Sequence, residues 1–85
     1  TELATQSWHQ VYLAAGSGTI TTIHSGLGPG EMITFFIAAA VACAFATGGN
    51  ISLGTKSSPL NVPAGASASF VLNAQTSKWQ LVSTV

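Results

Sequence analysis

The sequence predicts an all-β chain, a small antiparallel sandwich or barrel of about six to eight short strands that associates with further copies of itself. Three observations carry that prediction. Apolar residues alternate with period two inside the stretch 32–46, turn-forming residues recur at intervals of about 8 to 12, and charge is almost absent.

The stretch "MITFFIAAAVACAFA" is the most apolar in the chain. A helix crossing a bilayer needs about 20 apolar residues. This run is shorter, and Gly28-Pro29-Gly30-Glu31 and Thr47-Gly48-Gly49-Asn50 close it at either end. The only cations, Lys56 and Lys78, flank neither boundary, and the run lies too far along the chain for a secretory signal. Buried core is therefore expected, with no membrane insertion. Val41, Cys43 and Phe45 alternate with Ala42, Ala44 and Ala46, the strand period, and β-branched and aromatic residues argue against a single buried helix. Two strands are predicted, residues 32–38 and 41–47, with a turn near Ala39-Ala40. Both faces of the first are apolar: Met32, Phe36 and Ala38 on one, Ile33, Phe35 and Ile37 on the other. A strand at the surface of a monomer should alternate apolar with polar, so coverage on both sides is expected. The alanine-lined face of the second strand suits close approach by another sheet or subunit.

The remaining strands are placed at 7–13, 19–24, 50–53, 60–62, 66–73 and 78–84. Glycine, proline, serine and asparagine clusters separate them, among them Gly26 to Gly30, Ser57-Ser58-Pro59 and Pro63-Ala64-Gly65. "GPGEMITFFIA" and "VPAGASASFVLN" each set Pro and Gly just ahead of such a strand, as two equivalent hairpin starts.

Composition excludes more than it assigns. A chain of 85 residues forms one small domain, marginal by itself. Charged residues are 5% of the chain against about 25% in ordinary globular proteins, so the surface is built from Ser, Thr, Asn, Gln and Gly or is hidden by association. A net charge of zero lacks the electrostatic footprint of a nucleic-acid binder. Cys43 is the sole cysteine, which rules out an intramolecular disulfide and reads as a small buried hydrophobe. Glu2 and Glu31 are the only carboxylates and form no evident glycosidase pair. His9 and His24 lie on separate predicted strands with no third ligand at metal spacing, and no Asp is present to complete a strict Ser-His-Asp triad. Gly26-Leu27-Gly28-Pro29-Gly30 precedes a strand where a phosphate loop would precede a helix. Neither catalysis nor a cofactor is expected. The chain opens on Thr1 instead of Met, which reads as a processed or excised product.

The succession "GPGEMITFFIA", "FATGGNISLG", "PLNVPAGASASFVLN" and "KWQLVSTV" resembles the small C-terminal β domains of bacteriophage tail spikes and tail fibres. The matching positions are Gly30, Gly49-Asn50-Ile51-Ser52-Leu53, Gly65 and Trp79-Gln80-Leu81-Val82, and the likeness covers residues 19–85. Residues 1–18 match no part of it and are read either as the end of a preceding domain or as the first strand of this one. The resemblance implies a homotrimer on the virion tail, extracellular, beyond a receptor-binding or polysaccharide-degrading domain. Phe35, Phe36, Ala42 and Ala44 are then candidates for the subunit contacts. The competing class is a carbohydrate-binding module for bacterial surface polysaccharide. In it Trp8, Tyr12 or Trp79 stacks on sugar rings, and Gln10, Asn50, Gln80 and threonines supply hydrogen bonds. Trp8, Gln10 and Tyr12 would share one face of a strand.

Overall fold

A computed structural model describes residues 2–14, 18–38 and 43–84. The described residues form ten strands in three sheets, and none of them is helical. The strands are β1 (Glu2–Gln6), β2 (Gln10–Leu13), β3 (Thr19–Ile20), β4 (Thr22–Ser25), β5 (Met32–Ile37), β6 (Cys43–Phe45), β7 (Ile51–Ser52), β8 (Leu60–Val62), β9 (Ser67–Asn73) and β10 (Lys78–Thr84). Beyond the all-β class, the arrangement departs from a purely antiparallel one.

The first three strands pair in parallel and in order with the next three, β1 with β4, β2 with β5 and β3 with β6. Register partners lie 19 to 25 residues apart, from Gln6↔Ser25 and Glu2↔Thr22 through Gln10↔Thr34 to Thr19↔Ala44. The chain thus winds two solenoid-like coils, each contributing one strand to each of three sheets. Afterwards it reverses: β8 runs antiparallel to β6, β9 antiparallel to β5, and β10 returns antiparallel to β9 while pairing in parallel with β7. The sheets are β1-β4, β2-β5-β9-β10-β7 and β3-β6-β8.

Period-two sequence produces this core directly. In parallel register, residues about one coil apart stand side by side, so inward apolar positions form rows: Leu3 beside Ile23, Val11 beside Phe35 and Ala68, Leu13 beside Ile37, Ile20 beside Phe45 and Leu60. Phe35, Phe45 and Phe70 meet at the centre with ring centroids 4.9 to 5.8 Å apart in tilted and edge-on geometries. Phe45 belongs to the three-stranded sheet and the other two rings to the five-stranded one, so this contact joins two walls of the molecule. Buried aromatic pairs of this kind add about 0.5–1.5 kcal/mol each beyond their burial.

Several expectations change here. Strands β5 and β6 do not form a hairpin; they occupy different sheets, and the proposed Ala39-Ala40 turn lies outside the described residues. Residues 19–24 break at Thr21 into β3 and β4, where the chain passes from one sheet to the next. Within the chain, β5 is covered on one face only: Ile33, Phe35 and Ile37 are buried, whereas Met32 and Phe36 are exposed. Strands β1 and β2 contribute Leu3, Val11 and Leu13 to the same core as the later strands.

The junction between coils relies on Asn50. Its side-chain Oδ1 accepts from the Ile23 amide at 2.8 Å and its Nδ2 donates to the Ile23 carbonyl at 2.7 Å, taking the place of a neighbouring strand beside β4. The Asn50 backbone carbonyl then accepts from the Trp79 amide at 2.7 Å, linking that face to β10. Gly49 makes this approach possible. A Cβ there would overlap the Thr22 hydroxyl and the Thr21 carbonyl.

Candidate functional site

The outer face of the five-stranded sheet collects most of the large exposed apolar side chains. Alternation on β2 turns Val11 and Leu13 inward and Gln10 and Tyr12 outward, and alternation on β5 turns Met32, Thr34 and Phe36 outward. Register then builds three rungs across the face: Tyr12, Phe36 and Ser67; Gln10, Thr34 and Ser69; Met32, Val71 and Gln80. Tyr12 is 67% exposed and Phe36 41%, side by side on adjacent strands, and Met32 is 46% exposed. In the middle rung the hydroxyls of Thr34 and Ser69 are 3.0 Å apart in a hydrogen bond. Trp8, 53% exposed, immediately precedes His9, whose carbonyl already joins the β2–β5 ladder by accepting from Thr34.

A polar group borders the Trp8 and Met32 end. Glu31 Oε2 accepts from the Gly28 amide at 2.7 Å, and Glu31 Oε1 lies 3.9 Å from His9 Nε2. His9 Nδ1 is 3.2 Å from the Met32 carbonyl and donates to it in the tautomer that carries the proton there. The second histidine and the second carboxylate also pair with each other, His24 Nε2 to Glu2 Oε1 at 2.9 Å, on the β1-β4 sheet. Each pair bridges successive coils, and both are exposed to solvent. Among the described residues, no three His, Cys, Asp or Glu side chains come together as a metal site. Cys43 is buried, and desolvation raises its thiol pKa against a smaller opposing effect from the Ala44 backbone, so the group holds its proton at neutral pH.

The residues singled out from sequence separate into different places. Gln10 and Tyr12 share the outer face, with Trp8 just ahead of them. Phe36 joins that face, but Phe35 is fully buried at the centre of the core and offers no surface to another subunit, because strand alternation turns it the opposite way from Phe36. Ala44 is half-buried on β6, in a different sheet, and Ala42 lies outside the described residues. Trp79 is 2% exposed and packs as core, so it offers no stacking surface. The Asn50 amide is committed to Ile23, and Gln80 Oε1 accepts from Asn73 Nδ2 at 3.2 Å. The Asn50 Oδ1 and one Nδ2 proton serve the fold, while Gln80 is exposed with only its Oε1 engaged.

A cleft of about 330 Å³ runs between β4 and the β9–β10 turn, lined by His24, Ser25, Asn50, Asn73 and Trp79 among others. Its polar groups largely serve the fold: Ser25 Oγ donates to the Gln6 carbonyl and accepts from the Leu27 amide, and Asn73 Oδ1 accepts from the Gln75 amide at 2.9 Å. The exposed aromatic face is therefore the stronger candidate. Sequence reasoning set Trp8, Gln10 and Tyr12 on one strand face and Phe36 among the subunit contacts, and expected Met32 and Phe36 to be covered; the register that sets Phe36 beside Tyr12 was not available to it.

Among the described residues, fold and site define an all-β chain with two parallel coils, an antiparallel closure and an exposed face that carries Tyr12, Phe36 and Met32. No protein-family model and no curated protein matches it.

Proposed function

We propose that this chain is a non-catalytic C-terminal trimerisation and stabilisation module of a bacteriophage tail spike or tail fibre, carried on the virion tail at the surface that meets the host. The observation that carries the reading is the Tyr12, Phe36 and Met32 face, open in a single chain. Large exposed apolar side chains gathered on one face of a charge-poor domain, here Tyr12 and Phe36 with Met32 beyond the Thr34–Ser69 hydroxyl pair, mark an interaction site, and self-association buries them without needing a charged partner. The phage assignment rests on the order of the resembling motifs between Gly30 and Val82. A polysaccharide-degrading domain upstream in the parent protein would be compatible with this role.

Light scattering on the 85-residue chain tests it. The expected mass is that of a trimer, and Phe36→Glu, at a position 41% exposed in the single chain, should yield a folded monomer. A monodisperse, stable wild-type monomer at micromolar concentration overturns the proposal.

A second reading is supported by the exposure of Trp8 and Tyr12 with Gln10 between them: the same face binds bacterial surface polysaccharide, ring planes against sugar faces. Because Trp79 is buried, quenching of tryptophan fluorescence by a neutral solute reports chiefly on Trp8. Shielding of Trp8 in the assembled form, or unchanged glycan binding by Trp8→Ala, eliminates this reading and leaves the structural one.

A further inference from the structure

The cleft between β4 and the β9–β10 turn holds a donor that the fold does not use. Trp79 is 2% exposed and lines the cleft with the equally buried Ile23. An indole N–H that enters a core ordinarily finds an acceptor. Among the described residues no acceptor takes the Trp79 N–H, yet no fully enclosed side-chain nitrogen or oxygen is left without a partner. The indole N–H is therefore reached from outside the core, and the cleft is the opening that Trp79 lines. Beside it, Asn50 commits Oδ1 and one Nδ2 proton to Ile23 and keeps its second Nδ2 proton.

These two donors lie deep in the cleft, and acceptors stand at its exposed rim. When His24 donates from Nε2 to Glu2 Oε1, at 2.9 Å, its Nδ1 is left with a lone pair. The Ser77 hydroxyl, also at the rim, can accept or donate. Leu27, Pro29 and Leu72 supply apolar wall. The donors carry no charge and the Glu2 carboxylate stands beside His24, so the arrangement suits a neutral ligand over an anion. An extended peptide is denied the β4 edge, because Asn50 already occupies both main-chain groups of Ile23. At about 330 Å³ the cleft is at the small end of ligand sites, about 300–1,000 Å³, the scale of a single sugar unit.

We propose that this cleft binds an N-acetylated sugar unit through its acetamido group. The carbonyl oxygen accepts from the Trp79 N–H and the second Asn50 Nδ2 proton. The amide N–H donates to His24 Nδ1 or to the Ser77 hydroxyl, and the methyl group rests on Leu27 and Leu72. Strand alternation puts Trp79 and Gln80 on opposite sides of β10, so this site is separate from the outer face and rests on neither reading of that face.

Proton–nitrogen NMR of the 85-residue chain tests the assignment, because the two tryptophans give separate indole N–H signals. Titration with N-acetylglucosamine should move the Trp79 signal saturably and leave the Trp8 signal in place. Glucose, which lacks the acetamido group, should bind at least about tenfold more weakly. Trp79→Phe keeps an apolar ring without the N–H and should weaken binding by about tenfold or more, read at the Leu27 amide. Ala74→Trp, at an exposed position on the rim, leaves the core untouched and should abolish binding by filling the entrance, so the test does not depend on the core variant folding. A Trp79 signal that does not respond, or that responds equally to glucose, overturns the proposal. Movement confined to Trp8 also overturns it, by placing the sugar on the outer face. An equal response to N-acetylglycine methylamide overturns the sugar assignment in favour of a peptide, and unchanged affinity in Ala74→Trp overturns the location.

Discussion

Replacing Asn50 by alanine should be among the most damaging single changes on the molecule's surface-facing loops. Asn50 Oδ1 and Nδ2 satisfy both the amide and the carbonyl of Ile23, a residue 1% exposed. Asn50→Ala leaves both groups without their partner, and each unsatisfied buried group costs about 1–3 kcal/mol. The cleft of about 330 Å³ beside Asn50 can admit water to part of that site, which favours the low end of the range for the two groups together, about 2 kcal/mol in total. A domain of 85 residues has only about 4–13 kcal/mol to lose at 0.05–0.15 kcal/mol per residue. With an m-value of about 1 kcal/mol/M, the urea midpoint should therefore fall by about 2 M at fixed chain concentration. Asn61→Ala, on the exposed middle residue of β8, is the control and should stay within about 0.5 kcal/mol. Asn50→Asp separates the two bonds: its carboxylate still accepts from the Ile23 amide but faces the Ile23 carbonyl with no proton to give. The protonated acid can give one, so the folded state should raise the pKa of this aspartate. Stability of the variant should then be greatest below the ordinary carboxylate range and decline as pH rises through it. A midpoint shift below about 0.5 M for Asn50→Ala, with m unchanged, would refute the reasoning, because the Ile23 groups would then have found other partners at little cost.

Gly49→Ala should destabilise by about 1–3 kcal/mol, since its Cβ meets the Thr21 backbone as well as the Thr22 hydroxyl, whereas Gly28→Ala, whose Cβ comes no closer than 3.9 Å to Glu31 Oε2, should cost under about 1 kcal/mol; thermal melts of the pair check this. For Cys43 the raised thiol pKa means that folding favours the protonated form: its contribution is fully present below the ordinary thiol value of about 8.5 and is lost as pH rises through the higher folded value. Urea midpoints should accordingly fall with increasing pH above about 9, and Cys43→Ala should remove that part of the slope. Phe45→Ala, which empties one corner of the Phe35, Phe45 and Phe70 cluster, should cost about 3–5 kcal/mol and broaden or abolish the cooperative transition. His24→Ala should change stability by less than about 1 kcal/mol despite its 2.9 Å contact with Glu2, because both side chains are more than half exposed; a larger loss in chemical denaturation would show that the inter-coil pair is shielded.

Much of the strand content was legible in the amino-acid order. Residues 60–62 and 78–84 are strands with those bounds, and residues 66–73 differ from β9 by one position. Period two set Ile33, Phe35 and Ile37 on one face of a strand and Cys43 with Phe45 on one face of the next, but with both faces of the first strand apolar it did not say which of them is inward. The candidate face was only partly legible. Gln10 and Tyr12 could be set on one side of a strand, but their neighbours Thr34 and Phe36 stand 24 residues away, and nothing in either segment names the other. Asn50 was foreseen as a turn residue and a sugar donor, while its side chain serves as a short piece of strand beside Ile23. The Gly48-Gly49-Asn50 order was the available signal, yet its meaning depends on how closely Thr21 and Thr22 pass.

Alternation determines which side chains point to the same face of a strand, because successive residues project to opposite sides whatever lies next to the strand. Hence the sequence by itself determined an all-β chain, the apolar alternation along each strand and its few chemically active groups. Only the tertiary structure decided that β2 lies parallel to β5, that β5 and β6 part into different sheets, and that Met32 and Phe36 stay open. A parallel and an antiparallel neighbour present the same period-two requirement, and the choice is made by long-range packing: three phenylalanine rings and the Asn50 amide close two coils against a reversed third layer.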